Sequence, residues 1–330
     1  MKGSYSIVVE ANRARFKLQI NRNITILRGD SATGKTTLIE MIEAYQSQGA
    51  DSGVAVVCER PCVVLSGANW ESQLALYNES IVFIDEGSKF VASEDFARAV
   101  GNSTNYYVIA VRESLYQLPY SVAEIYGINN DTGRRNKGTS KFFSSNKRLY
   151  PNLAEDDSSL PELVIVEDSN SGFQFYAALC ERMSIACVSA GSKSKIYKMV
   201  CSADEHEILV IADGAAFGPE LERLYLYNLS NRSKHVRFFL PESFEYVLLA
   251  SGIVKADELP AVLADPSAFI ESKDYVSWER FFANLLIRLT HGTYLQYRKS
   301  RLNEAYRNDK ECSAIVNEVS KEGLNIFSDK

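Results

Sequence analysis

One octapeptide constrains this chain more than any other feature. Gly29-Asp30-Ser31-Ala32-Thr33-Gly34-Lys35-Thr36 matches G-x-x-x-x-G-K-[ST] at every fixed position. The short β-branched run Ile24-Thr25-Ile26-Leu27 precedes it, and Leu38, Ile39, Ile42 and Tyr45 follow at helical spacing over residues 36–46. A strand, a glycine-bearing loop and a helix in that order make a phosphate cradle. Two glycines let the backbone wrap so that its N–H groups point inward. The helix adds its N-terminal amides and the positive end of its dipole to the same anion. Gly29, Asp30, Ser31, Ala32, Thr33, Gly34, Lys35, Thr36 and Thr37 are therefore the expected nucleotide-binding residues. Lys35 is placed to reach the β- and γ-phosphates, and Thr36 to offer its hydroxyl to Mg²⁺.

Ile81-Val82-Phe83-Ile84-Asp85-Glu86 supplies the second half of the site. Four apolar residues ending in two acids read as a buried parallel strand that delivers carboxylates at its C-terminal end, where ligands bind in open α/β sheets. Asp85 would hold Mg²⁺, directly or through water, and Glu86 would act as general base on the attacking water.

The rest of the chain alternates in the same manner. Tyr5–Glu10 and residues 15–20 read as a hairpin around Ala11-Asn12-Arg13. Apolar runs recur at 54–57, 62–65, 81–84 and 106–111, with helical stretches at 70–77 and 94–100. Strands alternating with helices predict a mostly parallel sheet. Residues 120–150 carry Gly127, Asn129, Asn130, Asp131, Gly133 and Gly138, which predict a β-hairpin or a flexible loop. The acidic run Glu155-Asp156-Asp157 between Pro151 and Pro161 reads as a linker. A second alternation begins at Leu163-Val164-Ile165-Val166, and from Phe244 onward the pattern is helical. Trp278, Phe281, Phe282, Leu285, Leu286 and Leu289 form an apolar stripe that reads as core. The length of 330 residues suits two domains at about 100–200 residues each.

The Gly29–Thr36 loop with Asp85 and Glu86 resembles the P-loop NTPases of the additional-strand group, which includes ABC-type and AAA-type ATPases. The N-terminal hairpin is similar to that of ABC-type nucleotide domains. The resemblance covers roughly residues 5–150. An ABC ATPase carries a long helical insert ending in an LSGGQ-like signature, whereas Leu65-Ser66-Gly67-Ala68-Asn69 is only a loose echo and reads as a strand-to-helix turn. Arg112 follows the next strand. The resemblance implies a sensor of the γ-phosphate there, and pairing with Glu113 or another surface acid is the alternative. Arg134 and Arg135 are candidate arginine fingers.

Residues 163–245 resemble a Toprim domain, the metal-binding α/β unit of topoisomerases, primases and overcoming-lysogenisation-defect nucleases. Val164-Ile165-Val166-Glu167 ends the first strand with the glutamate of that family, Gly191-Ser192-Lys193-Ser194 resembles its small loop, and Asp213 supplies the first acid of its Asp-x-Asp motif. Glu245 resembles a later acid of some nuclease members. The second Asp-x-Asp acid falls at Ala215, and a further expected acid falls at Ser171. Glu167, Asp213 and Glu245, with Asp168 beside them, remain as a weak second metal site. Two-metal cleavage needs several carboxylates, so nuclease activity is expected to be weak or absent.

The expected fold class is α/β, a P-loop NTPase mostly parallel sheet with an N-terminal hairpin, then a Toprim-like α/β domain and a helical C-terminal extension. The expected boundaries are 1–152, a linker at 153–160, 161–250 and 251–330. The function implied is a Mg²⁺-dependent ATPase coupled to a catalytically degenerate Toprim-like module, as in prokaryotic DNA handling or anti-phage defence. A non-hydrolysing ATP-dependent switch and an ATP-gated metal-dependent nuclease are the alternatives. A protein partner or a homo-oligomer is expected.

Charge and cysteine content narrow the partners. With 36 basic and 42 acidic residues the net charge is −6, which disfavours non-specific coating of DNA. Residues 134–148 still hold Arg134, Arg135, Lys137, Lys141, Lys147 and Arg148 without an acid, interleaved with Phe142 and Phe143. That stretch could track a nucleic-acid backbone or be a solvated hairpin face. Arg298-Lys299-Ser300-Arg301 is a smaller patch that could complement the acidic linker or be solvated. The six cysteines lack CxxC spacing, which disfavours structural zinc and predicts reduced, mostly buried thiols. No apolar run approaches the ~18 residues of a membrane span, and the first residues lack the apolar core of a signal peptide. A cytoplasmic location is the expectation.

Overall fold

The computed structural model describes residues 1–29, 33–130, 142–150 and 159–327. They fall into two compact units, residues 1–150 with 265–276, and residues 151–264 with 277–330.

The first unit is built on a nine-stranded sheet. Its strands are β1 (Tyr5–Glu10), β2 (Ala14–Ile20), β3 (Ile24–Leu27), β4 (Ala55–Val57), β5 (Cys62–Val64), β6 (Ile81–Ile84), β7 (Tyr106–Ala110), β8 (Ile125–Asn130) and β9 (Phe142–Arg148), in the order β4-β1-β2-β9-β8-β3-β7-β6-β5. Strands β8, β3, β7, β6 and β5 are parallel. The pairs β1–β2, β1–β4 and β8–β9 are antiparallel. The sheet is therefore mixed. The β1–β2 pair is antiparallel because a tight turn joins its strands, whereas parallel neighbours need a crossover. Strands β3, β6 and β7 are buried at every residue, as expected for parallel strands covered on both faces.

The sheet curls. Strands β4 and β5 lie at its opposite edges, yet only four residues, Cys58 to Pro61, join them. A flat nine-stranded sheet would separate its edges by about 38 Å, whereas that link spans at most about 18 Å. The strands wrap around α1 (Lys35–Gln48). One continuous core follows, in which Leu38, Ile39 and Ile42 of α1 meet Ile7 and Val9 of β1, Leu18 of β2, and Ile81 and Phe83 of β6. Helices α2 (Trp70–Leu74) and α3 (Glu94–Gly101) complete the unit, with Trp70 stacked on Phe90. Residues 265–276, expected in the helical extension, belong to this unit: Gly3 N–H donates to Ser267 O at 2.8 Å and Asn23 Nδ2 to Val276 O at 3.1 Å.

The second unit has a four-stranded, wholly parallel sheet of β10 (Leu163–Val166), β11 (Ala186–Ser189), β12 (Glu207–Ile211) and β13 (His235–Phe239), in the order β11-β10-β12-β13. Helices α4 (Ser171–Arg182), α5 (Lys193–Ser202) and α6 (Gly218–Ser230) alternate with the strands. Helices α7 (Phe244–Ala250), α8 (Leu259–Ala264), α9 (Trp278–Thr290) and α10 (Asp309–Lys321) follow. On α9 the stripe Trp278, Phe282, Leu285 and Leu286 is buried, so it is core. Among the described residues no helix is long and apolar enough to cross a membrane.

Candidate functional site

The glycine-bearing loop sits at the C-terminal end of β3. Gly29 has φ +137° and Gly34 has φ +96°, both in the region that favours glycine. Gly34 is also the N-cap of α1, so no side chain caps the helix, and its first turn carries no acid. The leading amides are thereby left for an anion. A methyl group at Gly34 would meet the Phe16 ring at 3.2 Å, a tight approach that the ring would have to yield to. Asp30, Ser31 and Ala32 lie outside the described residues.

Lys35 opens α1 and is 4% exposed. Its Nζ donates to Gly29 O at 2.6 Å and to Thr33 Oγ1 at 3.2 Å, so the ammonium lies folded over the loop. Thr36 and Thr37 are exposed in the first helical turn. Thr36 Oγ1 lies 3.5 Å from Asp85 Oδ1. Asp85 follows β6, and its Oδ1 also accepts from Glu86 N–H at 2.8 Å. Burial raises the Asp85 carboxyl above its usual range, while the Thr36 hydroxyl and the Lys35 ammonium act against that rise. The hydroxyl and carboxylate expected to share Mg²⁺ are thus adjacent although 49 residues separate them. Mg²⁺ commonly takes one or two protein oxygens beside substrate phosphates rather than an all-protein cage, and the Thr36–Asp85 pair fits that pattern.

Glu86 is ion-paired with Arg112, which follows β7. The structure shows Arg112 paired with an acid, as one of its two sequence readings had it. The acid is the candidate general base rather than Glu113. Arg134, Arg135, Lys137 and Lys141 lie outside the described residues, and Lys147 and Arg148 are exposed at the end of β9. Leu65 to Asn69 form a turn between β5 and α2.

In the second unit the acids gather at the C-terminal edge of β10 and β12, where the chain order of the sheet reverses. Glu167 Oε2 accepts from Asp213 N–H at 3.1 Å, and Asp213 Oδ1 from Phe244 N–H at 3.0 Å. Asp168 Oδ1 accepts from Phe173 N–H at 2.9 Å at the start of α4. A cavity of ≈ 20 Å³ lies among Glu167, Asp168, Tyr176 and Asp213, room for about one water. Glu245, on α7, is 2% exposed and turned elsewhere. It accepts from Tyr297 OH at 2.8 Å and lies 3.8 Å from Lys299 Nζ, which also pairs with Glu279.

Of the residues expected as a weak second metal site, Glu167 and Asp213 share the small cavity and Glu245 does not line it. Asp213 is near enough to Glu167 and Glu245 to be repelled by both, and each of the three already accepts a hydrogen bond from a protein donor. The ammonium of Lys299 stands beside Glu245 and Glu279. Burial alone would lower Lys299, yet Glu245, Glu279 and Asp213 outweigh it and hold the lysine above its usual range. An internal cation thus supplies the positive charge the acids require. Among the described residues no three or more His, Cys, Asp and Glu come together as a metal-holding group. The residues do not fit a two-metal centre.

Sequence reading missed Tyr297 and Lys299, treating Lys299 as part of a surface patch. The signal was a spacing of two: Leu295 and Tyr297 are buried, and Lys299 next in that series is partly covered.

These acids make the second unit sensitive to pH. Burial pushes Glu167 up to about 7, with Glu279 and Asp168 adding repulsion and Asp213 N–H and Lys193 opposing. Asp168, Asp213 and Glu245 are raised as well, chiefly by burial. A raised carboxyl holds its proton more tightly folded than unfolded, so its contribution is greatest at low pH and is lost as pH climbs from 4.5 towards the folded value. Between pH 5.5 and 8, Glu167 alone should cost about 2 kcal/mol, a fall in melting temperature on the order of 5 °C. Trp278 is the second unit's own tryptophan and Trp70 the first unit's. Thermal melts of Trp70→Phe, followed by Trp278 fluorescence, check this. Glu167→Gln should flatten the slope.

Comparison with protein-family models and with curated proteins returns no match for this chain.

Proposed function

We propose that the first unit binds ATP with Mg²⁺ and hydrolyses it, as a P-loop NTPase of the additional-strand group. The observation that carries this reading is the convergence of Lys35, Thr36 and Asp85 at one sheet edge. Strand β7 lies between β3, which leads into the loop, and β6, which delivers the acids. An inserted strand at that place is what the group's name describes.

In this reading Lys35 exchanges its bonds to Gly29 O and Thr33 Oγ1 for phosphate oxygens, and the uncapped amides of α1 hold the same anion. Thr36 and Asp85 hold the Mg²⁺, which neutralises charge on the phosphates. Glu86 takes the proton of the attacking water once Arg112 releases it. The second unit is a Toprim-like module that does not cleave nucleic acid, its acids being occupied by Lys299, Tyr297 and backbone amides. Setting and location carry over as expectations: a cytoplasmic protein in DNA handling or anti-phage defence, acting with a protein partner or further copies of itself.

A non-hydrolysing switch is the second reading. It is favoured by the Glu86–Arg112 pair, which engages the would-be base. Phosphate release from ATP decides between them. Release that requires Mg²⁺ and stops with EDTA supports hydrolysis, and tight binding without release supports the switch. Supercoiled plasmid incubated in parallel with Mg²⁺ or Mn²⁺ should stay intact. Nicking abolished by both Glu167→Ala and Asp213→Ala would overturn the non-cleaving assignment.

A further inference from the structure

The short link that closes the curled sheet carries a thiol at each end. Cys58 follows β4 and Cys62 opens β5, so the pair brackets the seam between the two edge strands. The Cys62 thiol donates to Arg60 O at 3.8 Å inside the link, and the two thiols are close enough to influence each other. Cys62 is buried, and Cys58 is half-buried and so open to a small solute.

The residues between them are held. Arg60 Nη1 pairs with Glu79 Oε2 at 2.6 Å, just before β6. Arg60 Nε donates to Tyr5 OH at 3.4 Å on β1, and its guanidinium lies 5.8 Å from the Tyr5 ring centre. Pro61 fixes one backbone angle. Folding therefore holds the two cysteines at the ends of one braced link. The Cys62 thiol and the backbone N–H groups of Arg60 and Glu59 stabilise a thiolate at Cys58, against the effect of partial burial, and hold it below the ordinary thiol range. A thiolate is the reactive form.

We propose that Cys58 and Cys62 are a redox modification site, which a hydroperoxide converts to a reversible disulfide across the seam of the first unit. The Cys58 thiolate attacks one peroxide oxygen. An S–O bond forms, the O–O bond breaks and hydroxide leaves. The Cys62 sulfur, giving up its proton, then attacks the Cys58 sulfenic sulfur, and the S–S bond forms as the S–O bond breaks and water leaves. Two thiols lose two electrons in all, and one hydrogen peroxide becomes two waters. A dithiol reductant reverses the step. The disulfide would tie the end of one edge strand to the start of the other.

Cys201 is the internal reference, because it is exposed and on a different unit. The full chain is treated with hydrogen peroxide, blocked with iodoacetamide, unfolded and cut at glutamate. Cleavage after Glu59 separates Cys58 from Cys62 unless a disulfide joins the fragments. The expected result is a Cys58–Cys62 linked pair that dithiothreitol dissolves. It should form at least ~10-fold faster in the folded chain than in urea. Cys62→Ser should instead leave a Cys58 sulfenic acid that dimedone captures. Oxidation of Cys201 with no Cys58–Cys62 link, or equal rates folded and unfolded, overturns the proposal.

Discussion

Lys35→Ala weakens Mg·ATP binding by about 10²–10⁴-fold. The ammonium is the cation the loop itself offers, and it is 4% exposed. Hydrogen bonds to charged groups contribute about 1.5–3 kcal/mol each, so two bonds to phosphate oxygens amount to about 3–6 kcal/mol. In their absence the ammonium bonds to Gly29 O and Thr33 Oγ1, both neutral. Exchanging neutral acceptors for a phosphate is what makes binding favourable. Lys35→Met keeps the packing of the stem and loses the same charge, which separates a binding defect from a folding defect. Titration with a fluorescent ATP analogue is the measurement. Unchanged affinity in both variants sinks the assignment of this loop.

Glu86→Gln binds Mg·ATP with the affinity of the parent chain and releases phosphate at least ~10²-fold more slowly, the scale of a lost general base. Glutamine keeps the shape of the side chain and one acceptor oxygen but cannot accept the proton. Its loss also breaks the pair with Arg112. That arginine is 67% exposed, and exposed pairs contribute about 0–1 kcal/mol. Stability should therefore change little, and so should the cost of freeing Glu86 in the parent chain. The contrast between the two variants matters more than either alone. Lys35→Ala lowers affinity, whereas Glu86→Gln lowers turnover at saturating ATP. Parent-like turnover in Glu86→Gln would assign water activation to another group.

The parts of the candidate site whose local structure was legible in the sequence lie within short stretches of chain. The β3–loop–α1 unit spans residues 24–48, and the apolar period, both glycines and Lys35 are all inside it. Helix α1 begins and ends within two residues of the stretch the apolar period marked. The β1–β2 hairpin and the buried strand ending in Asp85 and Glu86 are local in the same sense. Their determinants are steric and solvation preferences that act over a few residues, and no distant partner changes them. The alternation of strand and helix in residues 163–239 belongs here too, and it was enough for an α/β class.

Partner choice was decided by tertiary structure. The mixed character of the first sheet depends on β2 meeting β9 and β8 meeting β3, pairings between segments more than 90 residues apart. Nothing within either strand specifies them, because any exposed strand edge offers the same N–H and C=O groups. Arg112 had several acids within reach by sequence, and the parallel register of β6 and β7 chose Glu86. Lys299 is chemically like Arg298 and Arg301 beside it. Only the fold turns it towards Glu245 and Glu279, where burial makes an uncompensated carboxylate costly and an ammonium valuable. Residues of one local type thus acquire different roles from the dielectric and the neighbours at the end of a long loop of chain. The sequence determined which short elements form and where a glycine-bearing loop leads into an uncapped helix. The tertiary structure determined which strands are neighbours and which charges meet, because those energies exist only between segments that folding brings together.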